Sequence, residues 1–490
     1  MQQASTETLG DRIGSALPPP EVCRQARLNK DPRFDGRFFI AVRSTGVFCR
    51  PICPARIPSE ANVRYYPSAA AASETGYRPC LRCRPEAAPS RPEWTLTSDT
   101  VLRGMRMIKA GYLNDRSTAA LADALGVSER HLSRLFVQDL GASPITIAGL
   151  CRANLARDLL LGTSLNHSEV AHHAGYASLS RFNHEIRSIF QCRPGDLRAR
   201  RKSPMPATLT MHLPVREPYD FDWVFGYLSR RALVGVEEVT GEAGAWRFRR
   251  RLHAAQNAVE DEAWVQVDQA DDGLFATFPL GHEPVYQLLQ RVCRVFDLQA
   301  DGSVVREFLA KQVELAPWVA QAPGLRVVGA WDGYETAVRA VLGQQVSVQR
   351  GTELANRMIA SYGDGLFPAP EQLMHRDVAE LGMPGRRGRA IARLAQLVAD
   401  GRLVVDEFVD ADDLQQQLQS IDGIGPWTAN YIRMRAGKDP DAFPDNDWVV
   451  LKQLGGTAAQ ARRTAEAWRP WRAYALMYLW YAAGQRRAAG

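Results

Sequence analysis

The sequence lacks the segments that direct a chain into or across a membrane. It has no cationic head followed by an apolar run at its N-terminus, and no uninterrupted apolar stretch is long enough to span a bilayer. We therefore expect a soluble protein that is not exported and has no membrane partner. Cysteine is also scarce, with eight in 490 residues, which excludes a disulfide scaffold and indicates a reducing compartment.

The chain has enough apolar material for three or four hydrophobic cores, since hydrophobic residues make up 46% of it. Its net charge of +6 is unevenly distributed. Residues 1–202 contain 29 Lys and Arg against 18 Asp and Glu, a net charge of +11, and the remainder, with 31 against 36, carries −5. The first part can attract phosphates through its overall charge, whereas the rest must rely on local contacts.

Proline-rich and charged stretches divide the chain into parts with different patterns. The segments "PEAAPSRPEW" (85–94) and "RARRKSPMPAT" (198–208) bracket a block with helical periodicity. Residues 207–280 instead alternate like strands, in "TLTMHLPV", "WRFRRRL", "WVQV" and "LFATF". From about residue 283 the helical pattern returns and continues to the end.

Four of the eight cysteines have the spacing of a metal site. Cys49 and Cys53 form C-x3-C, and Cys80 and Cys83 form C-x2-C after 26 intervening residues, which predicts one zinc ion with four thiolate ligands. The alternative is a zinc site that only staples a small domain. Six arginines near the cysteines predict a surface that attracts phosphates: Arg43, Arg50, Arg56, Arg78, Arg82 and Arg84.

The contexts "TGVFCRP" and "RPCLRCRP" resemble the N-terminal zinc domain of the Ada family over residues 20–90. The resemblance implies that Cys49 accepts a methyl group from a methylphosphotriester in DNA. Of the surrounding arginines, Arg43 and Arg56 are the candidate DNA contacts. Zinc keeps such a sulfur deprotonated and nucleophilic at neutral pH. Methylation would take the site from a formal charge of −2 to −1, and this loss of repulsion could strengthen DNA binding.

Two helix-turn-helix patterns lie in the helical block, at residues 118–136 and 168–198. The second, through "AGYASLSRFNHEIRSIF" and "RPGDLR", resembles the AraC-type regulators. We expect recognition helices that begin near Ser128 and Ser178 and enter adjacent major-groove segments of promoter DNA. The candidate contacts are Arg130, Arg134 and Arg181. Packed helices without a role in DNA binding are the alternative.

The stretch "LQSIDGIGPWTANYIRMRA" (418–436) places a Gly-x-Gly turn between two helices. It predicts a helix-hairpin-helix in which Gly423 and Gly425 let the backbone approach a DNA phosphate, with the amides of the following helix facing that phosphate. An ordinary helical hairpin is the alternative. Contacts of this kind need no basic surface, which fits the acidic balance of this half.

Downstream, Asp447 lies in "AFPDNDWVVLK", twenty residues after Trp427. With "YDFDWVFGYLSRRALVGVE" (219–237), "AVRAVLGQQVSV" (337–348) and "WRPWRAYALMYLWY" (468–481), these segments resemble the helix-hairpin-helix DNA glycosylases. The resemblance is to the AlkA-type 3-methyladenine DNA glycosylase II and covers nearly all of residues 207–485.

The resemblance implies that Asp447 is the catalytic carboxylate and that Trp427, Tyr431 and Trp480 line the pocket for an extruded base. An alkylated purine is electron-poor and often cationic, so electron-rich aromatic faces attract it. The carboxylate would stabilise the positive charge that develops on the sugar.

Two positions depart from the best-known form of this family. Gln345 occupies the place of an apolar wedge that fills the gap left by the flipped base, and Lys452 follows Asp447 by five residues, one more than in that form. The related lyase-competent glycosylases have a lysine at the position of Trp427. The tryptophan argues against a Schiff base with the sugar and favours a monofunctional enzyme.

We therefore expect a multidomain, mainly α protein with α+β parts. The predicted domains are a small zinc-bound α/β domain (1–90), an AraC-type DNA-binding domain with two helix-turn-helix motifs (91–202), an α+β domain with a small antiparallel sheet (205–325), and an all-α helix-hairpin-helix glycosylase domain (326–490). No second alkyltransferase segment is present, so Cys23, Cys151, Cys192 and Cys293 are expected to be structural thiols.

The expected partners are alkylated and promoter double-stranded DNA and RNA polymerase, for a monomer in a bacterial-type cytoplasm at the nucleoid. Two rival hypotheses are a transcription regulator whose inactive glycosylase domain only senses damaged DNA, and a bifunctional glycosylase/lyase. Release of bases from methylated DNA distinguishes the first rival, and a covalent imine with DNA distinguishes the second.

Overall fold

The computed structural model describes residues 17–85, 99–109, 111–199, 208–252, 264–280, 282–407 and 409–488. The chain divides into two compact units: the residues up to Thr210 together with Glu283–Gln290, and Met211–His282 together with the residues from Arg291 onward. The predicted domain borders near residue 90 and at 202–205 lie outside the described residues and stay predictions. Among the described helices, none combines the length and apolar character needed to cross a bilayer.

Residues 17–85 form an α/β fold around a four-stranded sheet with strand order β3-β1-β2-β4. Its strands are β1 Phe39–Val42, β2 Val47–Cys49, β3 Val63–Tyr66 and β4 Arg78–Pro79, and its α-helices are α1 Pro20–Leu28 and α2 Ala69–Glu74. β1 runs antiparallel to β2 and β3, and β4 runs parallel to β2. Because side chains alternate along a strand, Phe39 packs with α2 on one face of the sheet and Ile40 packs with α1 on the other.

The rest of the first unit is mainly helical. Its helices are α3 Asp99–Lys109, α4 Tyr112–Asp115, α5 Thr118–Ala124, α6 Glu129–Leu140, α7 Pro144–Gly162, α8 His167–His173, α9 Leu179–Phe190 and α10 Pro194–Arg198. The side chains of Ser128 and Ser178 cap α6 and α9 by accepting hydrogen bonds from backbone amides of the first turn. The two helices predicted to be recognition helices, α6 and α9, therefore begin next to the residues that the sequence indicated.

A five-stranded sheet of order β5-β9-β8-β7-β6 lies mostly in the second unit, although residues 208–210 and 285–290 of its strands and accompanying helices belong to the first. Its strands are β5 Thr208–Pro214, β6 Glu237–Thr240, β7 Arg247–Arg251, β8 Trp264–Ala270 and β9 Gly273–Pro279, and the accompanying helices are α11 Phe221–Ser229, α12 Val285–Val295, α13 Gly302–Leu309 and α14 Ala316–Gln321. The pairs β6–β7, β7–β8 and β8–β9 are antiparallel, as predicted for this domain. The sequence did not predict β6, a strand without fully buried residues at the sheet edge.

Residues from 333 onward are helical. The helices are α15 Gly333–Leu342, α16 Val348–Tyr362, α17 Pro370–Leu373, α18 Gly385–Ala399, α19 Ala411–Gln419, α20 Pro426–Arg435, α21 Trp448–Leu454, α22 Ala458–Ala465 and α23 Arg472–Ala488. One hydrophobic core joins α15 through α20, with Val338, Met358, Leu394, Leu418 and Ile432 buried in it. This core fixes the hairpin between α19 and α20 against α15 and α18.

Candidate functional site

The four cysteines of the predicted metal site converge in the first unit. Their sulfur atoms all lie within 4.8 Å of one another. Cys49 ends β2, and the parallel pairing of β4 with β2 brings the chain directly to Cys80 beside it. Four thiol sulfurs at this separation fit a tetrahedral zinc site, and the described residues contain one such site.

Cys49 differs from the other three cysteines in its access to solvent. It is partly exposed, whereas Cys53, Cys80 and Cys83 are buried. Hydrogen bonding to the neighbouring sulfurs, first of all Cys53, raises the pKa of the Cys49 thiol, so that ionising all four sulfurs requires a bound cation. The backbone amide of Arg50 also lies 3.4 Å from the Cys83 sulfur, to which it donates. Cys49 is therefore the sulfur that a group from outside can reach.

The six arginines around the cysteines do not all belong to one exposed surface that could attract phosphates. Arg43 and Arg56 are exposed, as a role in DNA contact requires, although Arg43 also donates to the Ala61 carbonyl. Arg50 is instead ion-paired with the buried Asp35, with 2.9 Å between Nε and Oδ1. Its guanidinium thus joins two parts of the zinc domain, which the sequence pattern does not reveal.

Arg84 takes part in the packing of the zinc domain against the helical part of the first unit. Its Nη2 lies 2.5 Å from Oδ2 of Asp158 on α7. Two further hydrogen bonds join the same parts: the Ser68 hydroxyl donates to the Leu140 carbonyl at 2.7 Å, and the Gln191 amide donates to the Gly76 carbonyl at 3.4 Å. The zinc domain and the helix-turn-helix helices therefore form one packed unit.

The candidate DNA contacts on the recognition helices differ in how free their side chains are. Arg130 and Arg134 are exposed on α6, and Nη2 of Arg134 lies 2.9 Å from Nδ1 of His131. Arg181 on α9 is partly buried and donates from Nε to Glu185 at 3.0 Å. The buried Arg152 binds the same carboxylate at 2.7 Å. A DNA phosphate would have to compete with Glu185 for the guanidinium of Arg181. The side chain of Arg130, in contrast, is exposed to solvent.

In the second unit Asp447 is buried, with 7% of its surface exposed, at the N-terminus of α21. Its Oδ1 accepts hydrogen bonds from the amides of Val449 at 2.9 Å and Val450 at 3.1 Å. The indole of Trp427 donates to Oδ2 at 2.8 Å, and the indole of Trp480 donates to Oδ1 at 3.4 Å. Four N–H donors thus fix the position of this carboxylate.

The three aromatic residues predicted for the base pocket lie together around Asp447. Trp427 and Tyr431 are stacked one helical turn apart on α20, with ring centroids 5.4 Å apart and an interplanar angle of 12°. Trp480 from α23 lies 6.5 Å from Tyr431. All three rings are partly exposed, so that they offer surface to a planar ligand as well as positioning the carboxylate.

Asp445, the other aspartate of this loop, has a different environment. Its Oδ2 lies 2.5 Å from Nη2 of Arg462, whose side chain is mostly exposed. The charge of Asp445 is therefore already matched at the surface, whereas Asp447 faces the aromatic cluster.

The two glycines of the hairpin meet different requirements. Gly423 has φ +96°, and a Cβ there would lie 2.9 Å from the Ala390 Cβ. Gly425, at φ −90°, has open space around the position of a Cβ, and it begins α20 without a side-chain cap. The fold itself requires a glycine at position 423. At position 425 the open, uncapped helix start leaves room for an external anion.

Gln345 lies in the loop between α15 and α16, exposed and with φ +54°. Its neighbour Gln344 donates from Nε2 to the Gly423 carbonyl and to the Thr428 hydroxyl, both at 2.9 Å. The sequence did not single out Gln344, because its partners are about eighty residues away. These two bonds attach the loop that presents Gln345 to the hairpin.

Sequence analysis also missed Tyr227, Arg231 and Arg435. The hydroxyls of Tyr227 and Tyr431 lie 2.8 Å apart, and both arginines contact the Tyr227 ring. The segment that contains Tyr227 was noticed only for its family resemblance. No local pattern connects two tyrosines that are 204 positions apart in the chain.

Comparison with known proteins assigns a family model to each of three parts of the chain. The metal binding domain of Ada matches residues 22–86, a helix-turn-helix domain matches residues 121–200, and the AlkA N-terminal domain matches residues 210–332. These ranges contain the four cysteines, both recognition helices and the five-stranded sheet, respectively.

Individual relatives cover the same parts. The probable bifunctional transcriptional activator/DNA repair enzyme AlkA of Mycobacterium tuberculosis (strain CDC 1551 / Oshkosh) is 39% identical over 482 residues, which cover 94% of this chain and 96% of the relative. DNA-3-methyladenine glycosylase 2 of Escherichia coli (strain K12) is 35% identical over 54% of this chain and 95% of its own length. The bifunctional transcriptional activator/DNA repair enzyme Ada of the same organism is 38% identical over 28% of this chain and 37% of its own length.

Proposed function

Because this chain belongs to the family of bifunctional transcriptional activator/DNA repair enzymes AlkA, we propose that it carries out three tasks on DNA. It excises alkylated bases as a monofunctional N-glycosylase, it accepts methyl groups from methylphosphotriesters, and it regulates repair genes. The observation that carries the excision activity is the buried Asp447 carboxylate, which four N–H donors hold beside three aromatic rings.

Excision begins with breakage of the bond between the base and C1′ of the deoxyribose. The bonding electrons leave with the base, and positive charge develops on the sugar. The Asp447 carboxylate stabilises this charge, and its fixed hydrogen bonds mean that little reorganisation is needed as the reaction proceeds. Water then adds to C1′ and loses a proton, which leaves an abasic site.

The aromatic residues supply the preference for alkylated bases. Trp427, Tyr431 and Trp480 present electron-rich faces, and a cationic purine is attracted to such faces by stacking and by cation–π interaction. Trp427 stands where a lyase has its lysine, so release proceeds without a covalent bond to the sugar. The indole donors to Asp447 couple recognition of the base to the position of the carboxylate.

The hairpin and the adjacent loop hold the damaged strand. The backbone N–H groups of Gly425, which caps α20, and of Trp427 bind a backbone phosphate, which is favoured there by the partial positive charge of a helix N-terminus. Gln345 enters the space that the extruded base leaves. Its amide can form hydrogen bonds with the unpaired partner base, which an apolar wedge cannot do.

In the first unit Cys49 is the methyl acceptor. Its sulfur attacks the methyl carbon of the phosphotriester: the S–C bond forms, the C–O bond breaks, and the phosphodiester leaves with a negative charge. Bound zinc keeps the sulfur deprotonated at neutral pH. The reaction occurs once per molecule, because the thioether product is stable.

The helix-turn-helix part binds promoter DNA through α6 and α9, with Arg130 and Arg134 in contact with the DNA. The protein acts as a monomer at the bacterial-type nucleoid in the cytoplasm and recruits RNA polymerase. Methylation of Cys49 lowers the negative charge of the zinc site and thereby strengthens promoter binding.

One experiment tests excision and methyl transfer together. The full chain is incubated with DNA treated with a methylating agent, the released bases are identified by chromatography, and the protein is analysed by mass spectrometry. We expect multiple turnovers of base release and a single methyl group per chain. Binding to the methylated DNA without any base release would support the rival hypothesis of an inactive glycosylase domain that senses damage.

A further inference from the structure

The hydroxyl of Tyr431 forms a hydrogen bond with the hydroxyl of Tyr227, whose ring is in contact with two arginines. Tyr227 of α11 is 4% exposed, and its hydroxyl lies 2.8 Å from that of Tyr431. The guanidinium carbon of Arg231 lies 3.7 Å from the centroid of the Tyr227 ring, and that of Arg435 lies 4.2 Å from it. Two cations therefore contact one buried phenol.

Arg435 is a buried cation with no carboxylate paired to it among the described residues. It is 6% exposed, and its Nε and Nη1 are buried without a hydrogen-bond partner among the described residues. Its guanidinium contacts the rings of both Tyr227 and Tyr431. Burial of an unpaired cation is costly. A phenolate next to it would supply the missing negative charge.

The charged and titratable groups that face Tyr227 are Arg230 and Arg231, which directly follow α11, Arg339 of α15, and Tyr431 and Arg435 of α20. The charge of Arg339 is already balanced, since its Nη1 lies 2.9 Å from Glu335 and 3.4 Å from Glu237. Within the described part of the chain, no carboxylate pairs with Arg231 or Arg435. Arg230 is exposed, so the positive charge in contact with the buried Tyr227 ring comes from Arg231 and Arg435.

The two hydroxyls respond to this environment in opposite ways. Burial by itself would raise the pKa of Tyr227, but Arg231 and Arg435 outweigh it and lower this pKa to about 8. The pKa of Tyr431 is raised, first by burial and then by the neighbouring Tyr227. Tyr227 is thus the residue that loses its proton to solvent, and Tyr431 then donates its O–H to the phenolate.

We propose that Tyr227 determines the charge preference of the base pocket, because its phenolate makes the Tyr431 ring more electron-rich and offsets the two arginines, which favours cationic over neutral bases. This inference rests on the proposed excision of bases at Asp447. Tyr227 acts through Tyr431 and is a positioning residue. This role of Tyr227 differs from aromatic stacking, because a phenylalanine at position 227 would pack in the same way but could not ionise.

The direction of the pH effect follows from the charges. Below pH 8 Tyr227 is neutral, and Arg231 and Arg435 repel a cationic base. Above pH 8 the phenolate cancels one of these charges and strengthens cation–π attraction to Tyr431. Release of a cationic base should therefore increase as the pH rises through about 8, while release of a neutral base should not.

The first measurement is independent of excision. The absorbance of tyrosinate is recorded between pH 6 and pH 10 for the full chain, for Tyr227→Phe, and for the matched control Tyr334→Phe. The Tyr334 hydroxyl is also buried, and burial raises its pKa, so it ionises later. We expect one tyrosinate to form near pH 8 in the wild type and in Tyr334→Phe, but not in Tyr227→Phe. Identical titration curves for all three proteins would overturn the proposal.

The second measurement compares single-turnover release of 3-methyladenine, cationic in DNA, with release of hypoxanthine, a neutral purine, over the same pH range. The ratio of the two rates should rise about tenfold through pH 8 in the wild type. It should stay flat in Tyr227→Phe. A ratio that rises equally in Tyr227→Phe would refute a role for the phenolate. If the tyrosinate forms near pH 8 but neither base is ever released, the proposed excision fails, and the selectivity falls with it.

Discussion

Asp447 combines two roles in one side chain, since the same Oδ1 caps α21 and accepts the indole N–H of Trp480. Asparagine is as good an N-cap as aspartate, but its Nδ2 cannot accept the indole N–H of Trp427, so Asp447→Asn should lower the free energy of unfolding by about 1–2 kcal/mol. It removes the charge that is proposed to stabilise the sugar cation, and base release should fall on the order of 10²-fold or more. Single-turnover release of 3-methyladenine measures this loss, and binding to an abasic-site analogue should be retained.

Asp445→Asn is the matched control for Asp447→Asn. It removes one carboxylate charge two residues away but affects only an ion pair with the exposed Arg462. Its rate of base release should stay within about twofold of the wild type, because an exposed ion pair contributes little. A wild-type rate in Asp447→Asn together with a large loss in Asp445→Asn would show that Asp445, and not Asp447, is the catalytic carboxylate.

A second prediction about a single residue concerns Cys49. Methylphosphotriester DNA should add the mass of one CH₂ to the peptide that contains Cys49, because this sulfur alone of the four is partly exposed. Peptide mass spectrometry locates the methyl group, with the peptides of Cys80 and Cys83 as internal controls. A methyl group found on either of those peptides would contradict the assignment.

Two glycines in the hairpin between α19 and α20 are expected to have different roles. Gly423 is needed for the fold, and Gly425 is proposed to admit a DNA phosphate. Gly423→Ala forces a side chain into φ +96° and against Ala390, which should lower the free energy of unfolding by about 1–3 kcal/mol. Gly425→Ala meets open space at an ordinary φ and should leave stability nearly unchanged. Urea denaturation checks the first effect.

Gly425→Ala should instead weaken binding to undamaged DNA, because its methyl group occupies the surface where a phosphate approaches the start of α20. A fluorescence anisotropy titration at fixed salt concentration measures this loss. If Gly425→Ala destabilises the fold as much as Gly423→Ala does, the hairpin is an ordinary helical connection.

Elements with local signals were the ones that sequence could predict. The starts of α6 and α9 follow from the capping residues Ser128 and Ser178, and β8 and β9 follow from alternating apolar residues. The strand β6 was missed, since an edge strand without a fully buried side has no such alternation. The cysteine cluster was predictable because metal ligands have characteristic spacings.

Site features that depend on long-range packing could not be predicted in this way. The ion pair between Arg50 and Asp35 and the hydroxyl pair of Tyr227 and Tyr431 both join residues on different elements. The family resemblance suggested which aromatic residues surround Asp447. It did not indicate that two of their indoles donate hydrogen bonds to it, which only the fold reveals.

At the scale of the whole molecule, the two units have separate cores and should lose structure separately. Chelation of zinc leaves four crowded cysteines without the ion that joins β2, β4 and the turn between Cys80 and Cys83, so the zinc domain should unfold first. Hydrogen exchange should show loss of protection in residues 39–66 after chelation. Base release, which depends on residues beyond 210, should persist at the wild-type rate.

The control for this experiment is the same protein after zinc is restored, which should recover protection in the zinc domain. A zinc-free chain with a fully protected zinc domain would contradict a structural role for the metal. Loss of base release together with zinc would show that the two units depend on each other.

The hydrogen bonds of Gln344 to Gly423 and Thr428 have a consequence for how the protein measures DNA. They join the loop that carries Gln345 to the hairpin proposed to bind a phosphate. If both roles hold, the interval along the strand between the bound phosphate and the vacated base position is constant. We then expect the protein to test DNA one nucleotide at a time, at a fixed distance from the bound phosphate.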